Sequence, residues 1–249
     1  MSGDPVFWLV AALSVLLMGL SKSGFASGFG AMATPLLALV VPVPEAAAIM
    51  LPLLLVMDAT SVHQLWRHRD PAQLRLLLPA GLVGTLLGMG LFKAVPAHLL
   101  AAVVGALTLL FLAQRVLARS PATARVPSRW FGRAMGVASG FTSFIAHTGS
   151  PPLNAYLLPT RPSPLSFAAT SAVFFAAINL AKWLPYFWLG LLDGQRLLTS
   201  LALVPLAPIG VWVGVRLSQR ISPRAFFWLV YSGMLVTGLK LIWDGFKPH

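Results

Sequence analysis

Two lysines in apolar surroundings are the charged side chains best placed to do chemistry. Lys182 follows the apolar run 172–181, in which Asn179 is the one strongly polar residue. A charge at membrane depth is costly and usually faces the interior of a helix bundle, and Asn179 shares the helix face of Lys182 because it lies three residues earlier. Lys22 has two equally weighted interpretations, as an anion-binding cation or as a lysine that extends to the membrane interface.

Two further side chains are candidates for proton coupling. Asp58 lies in the region of the first copy that corresponds to Asn179 in the second. It serves either as a proton carrier or as the counter-ion of a lysine, and we favour the counter-ion role. His147 could relay protons near neutral pH or act as a structural hydrogen-bond donor. The sequence predicts no catalytic residue, metal site or cofactor, because no cluster has metal-ligand spacing and no serine is paired with a base.

A Gly/Ser-rich motif occurs twice along the chain. Residues 23–27 (SGFAS), followed by Pro35, recur as residues 139–143 (SGFTS), followed by Pro151. Such residues weaken a helix, and the freed backbone N–H groups must face protein or a water-filled cavity, where the restarting helix directs its positive end at an anion. A duplicated bundle with interrupted helices is typical of secondary transporters, whose substrate site lies where the broken helices meet.

The two breaks supply the candidate substrate-binding residues. Those of the first break are Ser21, Lys22, Ser23, Gly24, Ser27 and Gly28. The second break and the later helix contribute Ser139, Gly140, Ser143, His147, Thr148, Ser150, Asn154, Asn179 and Lys182. The alternative is that these small residues only allow close helix packing. Their occurrence at matched positions in two copies favours binding.

The composition indicates an integral membrane protein. Of 249 residues, 57% are hydrophobic and 10% are charged, and the mean hydropathy is +0.82. A soluble domain carries about 25% charged residues. The net charge of +12 does not indicate nucleic-acid binding, because the arginines fall between apolar segments rather than on a polar face. The absence of cysteine excludes disulfides and thiolate chemistry.

The predicted fold is all-α and polytopic, with about 8–10 helical segments in two inverted repeats and short broken or re-entrant helices. Residues 1–118 form the first repeat, 119–129 a basic linker and 130–249 the second repeat. The apolar segments are 6–20, 27–41, 45–66, 72–93, 97–117, 130–146, 150–160, 164–190, 195–217 and 223–245. Segments 27–41 and 150–160 are short enough to be half-helices or re-entrant loops. A barrel is excluded because the apolar runs are continuous rather than alternating.

The distribution of basic residues predicts the orientation. Thirteen lie on the side of the central linker and four on the other side, if Lys22 is counted with the linker and Lys182 is left within the membrane. By the positive-inside rule, the linker is cytoplasmic and both termini are outside. An odd number of crossings per copy makes the two copies oppositely oriented.

The motifs around both breaks resemble those of the TauE/SafE family of membrane permeases, often described as sulfite or sulfonate exporters. In the first copy they are residues 19–25 (GLSKSGF), 35–37 (PLL), 45–46 (EA), 51–52 (LP) and Asp58. In the second they are 139–141 (SGF), His147, 151–153 (PPL), 156–159 (YLLP), 179–182 (NLAK) and 185–186 (PY). The likeness covers nearly the whole chain. It implies a bacterial inner-membrane transporter of a small anion, commonly a sulfur-containing one.

The leading hypothesis is therefore a secondary permease, not an enzyme, for a sulfur-containing oxyanion or an organosulfonate or carboxylate. It would bind its substrate near the bilayer midplane, work by alternating access, and couple transport to protons through Asp58 or His147. The alternatives are a passive anion channel and a retinal-type photoreceptor that uses Lys182. The expected partners are the anionic substrate and the lipid bilayer, with a homodimer left open and no nucleic acid.

Overall fold

The computed structural model describes residues 4–22, 30–117, 127–210, 212 and 223–247. None of these residues lies in a β-strand, so the predicted all-α polytopic fold is confirmed. The helices are α1 (Pro5–Lys22), α2 (Gly30–Leu37), α3 (Val43–Leu65), α4 (Pro71–Ala94), α5 (Ala97–Leu117), α6 (Arg129–Ala146), α7 (Ser150–Leu157), α8 (Pro164–Ala181), α9 (Trp183–Trp188), α10 (Gly194–Leu203) and α11 (Pro223–Phe246). Most of the predicted basic linker 119–129 lies outside the described residues.

Several helices are long and apolar enough to cross a membrane. Within the described part of the chain they number four, and a spanning helix needs about 20 residues. Large apolar side chains such as Leu86 and Leu201 are exposed on the outer surface of the bundle, as expected of side chains that face lipid. The chain is a multi-pass membrane protein. The four candidate spans are Val43–His68, Pro71–Ala94, Ala97–Gln114 and Pro164–Trp188.

Helix starts follow from capping residues. The Asp70 carboxylate accepts hydrogen bonds from the backbone N–H groups of Ala72 and Gln73 at the start of α4. Ser128 and Ser163 cap α6 and α8 through their hydroxyl oxygens. Each side chain satisfies N–H groups that have no partner within the helix. These caps explain why the predicted helix starts agree closely with the structure.

Two predicted helices are interrupted. The segment 164–190 is divided at Lys182 into α8 and α9, and 195–217 is broken by a turn at residues 204–205. Proline is the physical reason in both places, because it lacks an N–H and its ring clashes with the carbonyl four residues earlier. Pro185 removes the bond to Ala181, and Pro205 and Pro208 follow the end of α10.

The two short segments are half-helices. Each of α2 and α7 has eight residues, a length of about 12 Å, against a hydrocarbon core of about 30 Å. A turn over residues 38–41 follows α2, and a 3-10 turn at Leu158–Thr160 follows α7. Neither half-helix can cross the bilayer alone, so both end within the protein.

Helices α4 and α6 run parallel in close contact. Gly132, Gly136 and Phe144 of α6 lie against Leu76, Ala80 and Gly88 of α4, in the same order along both helices. A Cβ atom added to Gly84 would lie 2.0 Å from the carbonyl oxygen of Val137, and one added to Gly140 would lie 1.9 Å from that of Gly81. The glycines therefore allow backbone to touch backbone, as in other small-residue membrane interfaces. We call this contact the glycine seam.

Helices in matching positions of the two sequence copies run antiparallel. Gly105 of α5 packs against Gly238 of α11, while Ala102, one turn earlier in α5, packs against Gly245 further along α11. Asp58 in α3 meets Asn179 in α8, and Asp70 beyond the end of α3 meets Thr170 nearer the start of α8. Oppositely oriented repeats require this arrangement. The division into two inverted repeats, 1–118 and 130–249, stays a prediction.

The glycine seam predicts a large difference between two glycines of one helix. Gly84→Ala should destabilise the protein by about 1–3 kcal/mol, because its Cβ would overlap the Val137 backbone. Gly90→Ala is the matched control: nothing lies within 4 Å of its Cβ, so the better helix former should stabilise α4 by about 0.5–1 kcal/mol. The measurement is unfolding of the purified protein in detergent. Equal effects of the two substitutions would contradict the seam.

Candidate functional site

A buried lysine lies at the break between α8 and α9. The side chain of Lys182 is fully buried, and its Nζ donates to the backbone carbonyl and the hydroxyl of Ser143 at 2.6 and 2.8 Å. It also donates to Asn179 Oδ1 at 2.8 Å and lies 3.0 Å from His147 Nδ1. Four acceptors thus surround one ammonium group. A buried charge needs such partners, because desolvation costs several kcal/mol per ion.

Asn179 connects the lysine to a buried carboxylate. Its amide nitrogen Nδ2 donates to Asp58 Oδ2 at 2.6 Å, while its Oδ1 accepts from Lys182. Asp58 is 1% exposed, so both charges are withdrawn from solvent. The amide between them lets the carboxylate act as counter-ion without touching the ammonium. The two charges balance across α3 and α8.

His147 ends α6 and links it to α3. Its backbone has φ 55°, in the left-handed region, and its Nε2 lies 2.9 Å from the carbonyl oxygen of Ala47. We assign the proton to Nε2, because an ammonium can only donate to Nδ1 and a carbonyl can only accept. The imidazole therefore joins Lys182 to the backbone of α3.

The carbonyl end of α6 receives two side chains from the break between α8 and α9. Lys182 donates to the carbonyl of Ser143, and the Tyr186 hydroxyl donates to that of Phe144 at 2.7 Å. The last carbonyls of a helix have no partner within it, and they carry the negative end of the helix dipole. The lysine charge is therefore stabilised by a helix end as well as by Asp58.

A cavity of about 280 Å³ ends on this network. Ser143, His147 and Asn179 line it, whereas Lys182, to which all three are bonded, does not reach its surface. Among the described residues that line the cavity, none is acidic. Its polar lining consists of Ser21, Ser61, Ser143, His147, Ser150, Ser171 and Asn179, and the rest includes Met18, Leu54, Leu65, Phe167 and Phe175.

The cavity extends toward one end of the bundle. It runs from Leu65, at the end of α3, and Pro164, at the start of α8, inward to His147 and Asn179. Arg67 and Arg161 lie just outside these two helix ends. Cavity and basic side chains therefore share one end of the protein.

Beyond the lysine, aromatic side chains close the opposite end. Phe144 packs edge-on against Phe92 and Tyr186, with centroid distances of 5.3 and 5.0 Å, and Phe144 and Tyr186 are fully buried. Further toward that end, Arg196 Nε lies 3.7 Å from Glu45 Oε1. We call Phe92, Phe144 and Tyr186 the aromatic cluster. It separates the charged network from the far end of the molecule.

The Gly/Ser-rich motif 139–143 does not itself interrupt a helix. Helix α6 continues to Ala146, as the apolar segment 130–146 predicts, and only residues 147–149 lie between α6 and α7. The Ser139 hydroxyl donates to the carbonyl of Gly149 at 2.7 Å, and that of Thr148 donates to the carbonyl of Thr142 at 3.1 Å. Ser139 and Thr148 therefore hold the shape of the break, and Gly140 belongs to the glycine seam.

Some backbone N–H groups at this break are absent or already bonded within it. Pro151 and Pro152 have no N–H, and the N–H groups of Thr148 and Leu153 donate to the carbonyls of Thr142 and Gly149. The prediction that backbone N–H groups and hydroxyls together hold an anion at this break stays a prediction. Ser143 and Ser150 line the cavity at the second break and bring hydroxyl groups to it.

The remaining candidates are distributed as follows. Ser21 lines the cavity at the end of α1, and Asn154 is buried in α7 but is not part of the lining. Lys22 is the last residue of α1. Ser23, Gly24, Ser27 and Gly28 lie outside the described residues.

Two polar side chains of the described cavity lining were missed by the sequence reasoning. Ser61 lies three residues after Asp58, and Ser171 lies two helical turns before Asn179, so each shares a helix face with a candidate residue of the sequence analysis. This helical spacing was the feature of the sequence that could have identified the two serines. Ser171 is of special interest, because its buried Oγ has no hydrogen-bond partner among the described residues.

A family model described as Sulfite exporter TauE/SafE matches residues 11–241 of the 249. The chain belongs to this family. The TauE/SafE resemblance noted in the sequence is confirmed, and with it the assignment to membrane transport proteins. No curated protein and no solved structure matches this TauE/SafE chain.

The charge balance in this TauE/SafE protein predicts that substitutions of Asp58 and Lys182 have non-additive effects on the free energy of unfolding. Asp58→Asn and Lys182→Met should each destabilise the protein by about 3–5 kcal/mol, because each leaves an unbalanced buried charge. The double variant should be more stable, by at least about 1 kcal/mol, than the sum of the two single destabilisations predicts. The measurement is a double-mutant cycle of unfolding free energies.

The matched control is the exposed ion pair Lys240–Asp244 of α11. Lys240→Met and Asp244→Asn should each change stability by less than about 1 kcal/mol. Additive effects at Asp58 and Lys182 would contradict the link through Asn179.

Proposed function

We propose that this TauE/SafE protein is a secondary transporter of a small anion, either a sulfur-containing oxyanion or an organosulfonate or carboxylate. The observation that carries the proposal is the cavity that ends on Ser143, His147 and Asn179, the three side chains bonded to the buried Lys182. Its polar lining offers hydroxyls and no carboxylate among the described residues. Such a lining suits a negative solute.

Ser143 lies between the ammonium group of Lys182 and the cavity. Its Oγ accepts from Lys182, so its own hydroxyl proton is left to donate to a substrate. Ser171 contributes a second hydroxyl with no partner among the described residues. Lys182 therefore supplies positive potential from behind Ser143, and the hydroxyls make the direct contacts. Charge-assisted hydrogen bonds of this kind are stronger than neutral ones.

The volume favours a small substrate. About 280 Å³ is below the usual 300–1,000 Å³ of a pocket for a drug-sized molecule. Ser150, the first residue of α7, also lines the cavity, so the positive end of this half-helix is directed at it. Sulfite, small sulfonates and small carboxylates match this size and charge.

The closed end supports alternating access. The aromatic cluster and the Glu45–Arg196 pair lie at the end opposite the cavity, so the site opens toward one side of the protein in this structure. We propose an inner-membrane location with the arginine-rich end and the linker in the cytoplasm and both termini outside. In that orientation the cavity faces the cytoplasm. Asp58 and His147, both in the buried network, are the proposed proton carriers.

Removal of a hydroxyl that faces the cavity should weaken substrate binding. Ser171→Ala and Ser143→Ala should each raise the KM for sulfite by about tenfold, because each removes a hydrogen bond to a charged solute. The measurement is uptake of labelled sulfite into proteoliposomes. Thr199→Ala is the control, since the Thr199 hydroxyl donates to the Gln195 carbonyl of its own helix away from the cavity. An unchanged KM in both serine variants would refute the proposed site.

Counterflow should separate a carrier from a channel. Unlabelled sulfite inside the vesicles should accelerate uptake of labelled sulfite, because a loaded site returns across the membrane faster than an empty one. A pH gradient should drive net flux, and folded Asp58→Asn protein should keep counterflow but lose the response to the gradient. The absence of acceleration by internal substrate would favour a passive pore.

A further inference from the structure

A groove on the outside of α4 and α6 lies away from the transport cavity. Its volume is about 450 Å³. One end is basic and the remainder is apolar, a combination that neither the cavity nor the aromatic cluster requires. The basic lining is Arg75, Arg129 and Arg133, and the apolar lining is Leu76, Pro79, Ala80, Val83 and Val137.

The fold brings the three arginines together. Because α4 and α6 run parallel, both begin at the same end, with Arg75 in the second turn of α4 and Arg129 and Arg133 one turn apart in α6. The Arg75 Nε donates to the carbonyl of Pro71 at 3.2 Å, and the Arg133 guanidinium lies 4.7 Å from the Trp130 ring centroid. All three side chains are exposed.

No carboxylate neutralises these arginines within the described part of the chain. The ion pairs found there involve other residues. Asp70, which precedes α4, uses its carboxylate to cap that helix. The basic end of the groove therefore has positive charge available to an external anion.

The apolar part continues from the arginines toward the middle of the helix. Val83 is 50% exposed and adjoins Leu82, Leu86 and Leu87 on the lipid-facing side of α4. Trp130, beside Arg133, is 76% exposed and is the type of residue that anchors a helix at headgroup level. A basic end at headgroup level that leads into an apolar groove matches one class of molecule, an anionic phospholipid.

We propose that this groove binds one anionic phospholipid, with the phosphate among Arg75, Arg129 and Arg133 and an acyl chain along Pro79, Val83 and Val137. The inference does not depend on the transport proposal. A free phosphate would use the arginines alone, whereas the lipid also uses the apolar groove.

The test is retention of phosphatidylglycerol against phosphatidylcholine by the purified protein, measured by native mass spectrometry. The protein should retain one phosphatidylglycerol molecule in preference to phosphatidylcholine. Arg129→Gln/Arg133→Gln should weaken retention by about 30-fold, at about fivefold for each arginine near the membrane surface. Arg67→Gln/Arg69→Gln removes the same charge from the same end of the bundle and should leave retention unchanged.

Val83→Trp tests the apolar part without changing charge. It should fill the groove and reduce phosphatidylglycerol retention at least severalfold, and excess inorganic phosphate should not displace the lipid. Equal losses in the two arginine pairs would indicate general surface charge and overturn the site. Displacement by phosphate, or full retention in Val83→Trp, would overturn the lipid as occupant. Unfolding temperatures identify a variant that fails to fold, and Val83→Trp then decides the question.

Discussion

The burial of one ammonium group, that of Lys182, is the constraint on which the rest of the site depends. An unpaired charge in this position would cost more than a protein of ordinary stability can tolerate. Three helices contribute to its compensation: α6 through its carbonyl end, α8 through Asn179 and α3 through Asp58. The end of α6 lies beside the break after α8 because its carbonyl groups need hydrogen-bond donors and the buried ammonium group needs acceptors.

The same side chains both neutralise the lysine and face the cavity. Ser143, His147 and Asn179 are bonded to Lys182 on one side and are accessible to a solute on the other. One turn beyond Lys182, Tyr186 bonds the carbonyl of Phe144, next to the carbonyl that the lysine uses. Solute binding and closure of the far end therefore act on adjacent groups of one short stretch of backbone.

Local chemistry explains which parts could be predicted from the sequence. The bounds of α5 agree with the apolar run 97–117, and the pairing of Asn179 with Lys182 follows from helix periodicity. The sequence places Asp58 and Asn179 at matching positions of the two copies, but only the structure brings the two side chains into contact. The bonds from Lys182 to Ser143 could not be predicted, because they depend on how the break between α8 and α9 meets the end of α6, 39 residues away in sequence.

The roles of small residues were also ambiguous in the sequence. Glycine and serine both weaken helices and allow close packing, and only tertiary contacts separate the two effects. Gly140 turned out to pack against the backbone of Gly81, whereas Ser143, three residues later, faces the cavity. Residues of one motif therefore have different roles because they point to different neighbours.

The contact between α4 and α6 has a mechanical consequence. Where two backbones interlock without intervening side chains, neither helix can slide or rotate without a collision between main-chain atoms. Helices α4 and α6 must therefore move together as one rigid body. A conformational change that opens the site toward the aromatic cluster has to occur at other helix contacts. Contacts packed by flexible side chains, such as those between the half-helices and their neighbours, allow such a change.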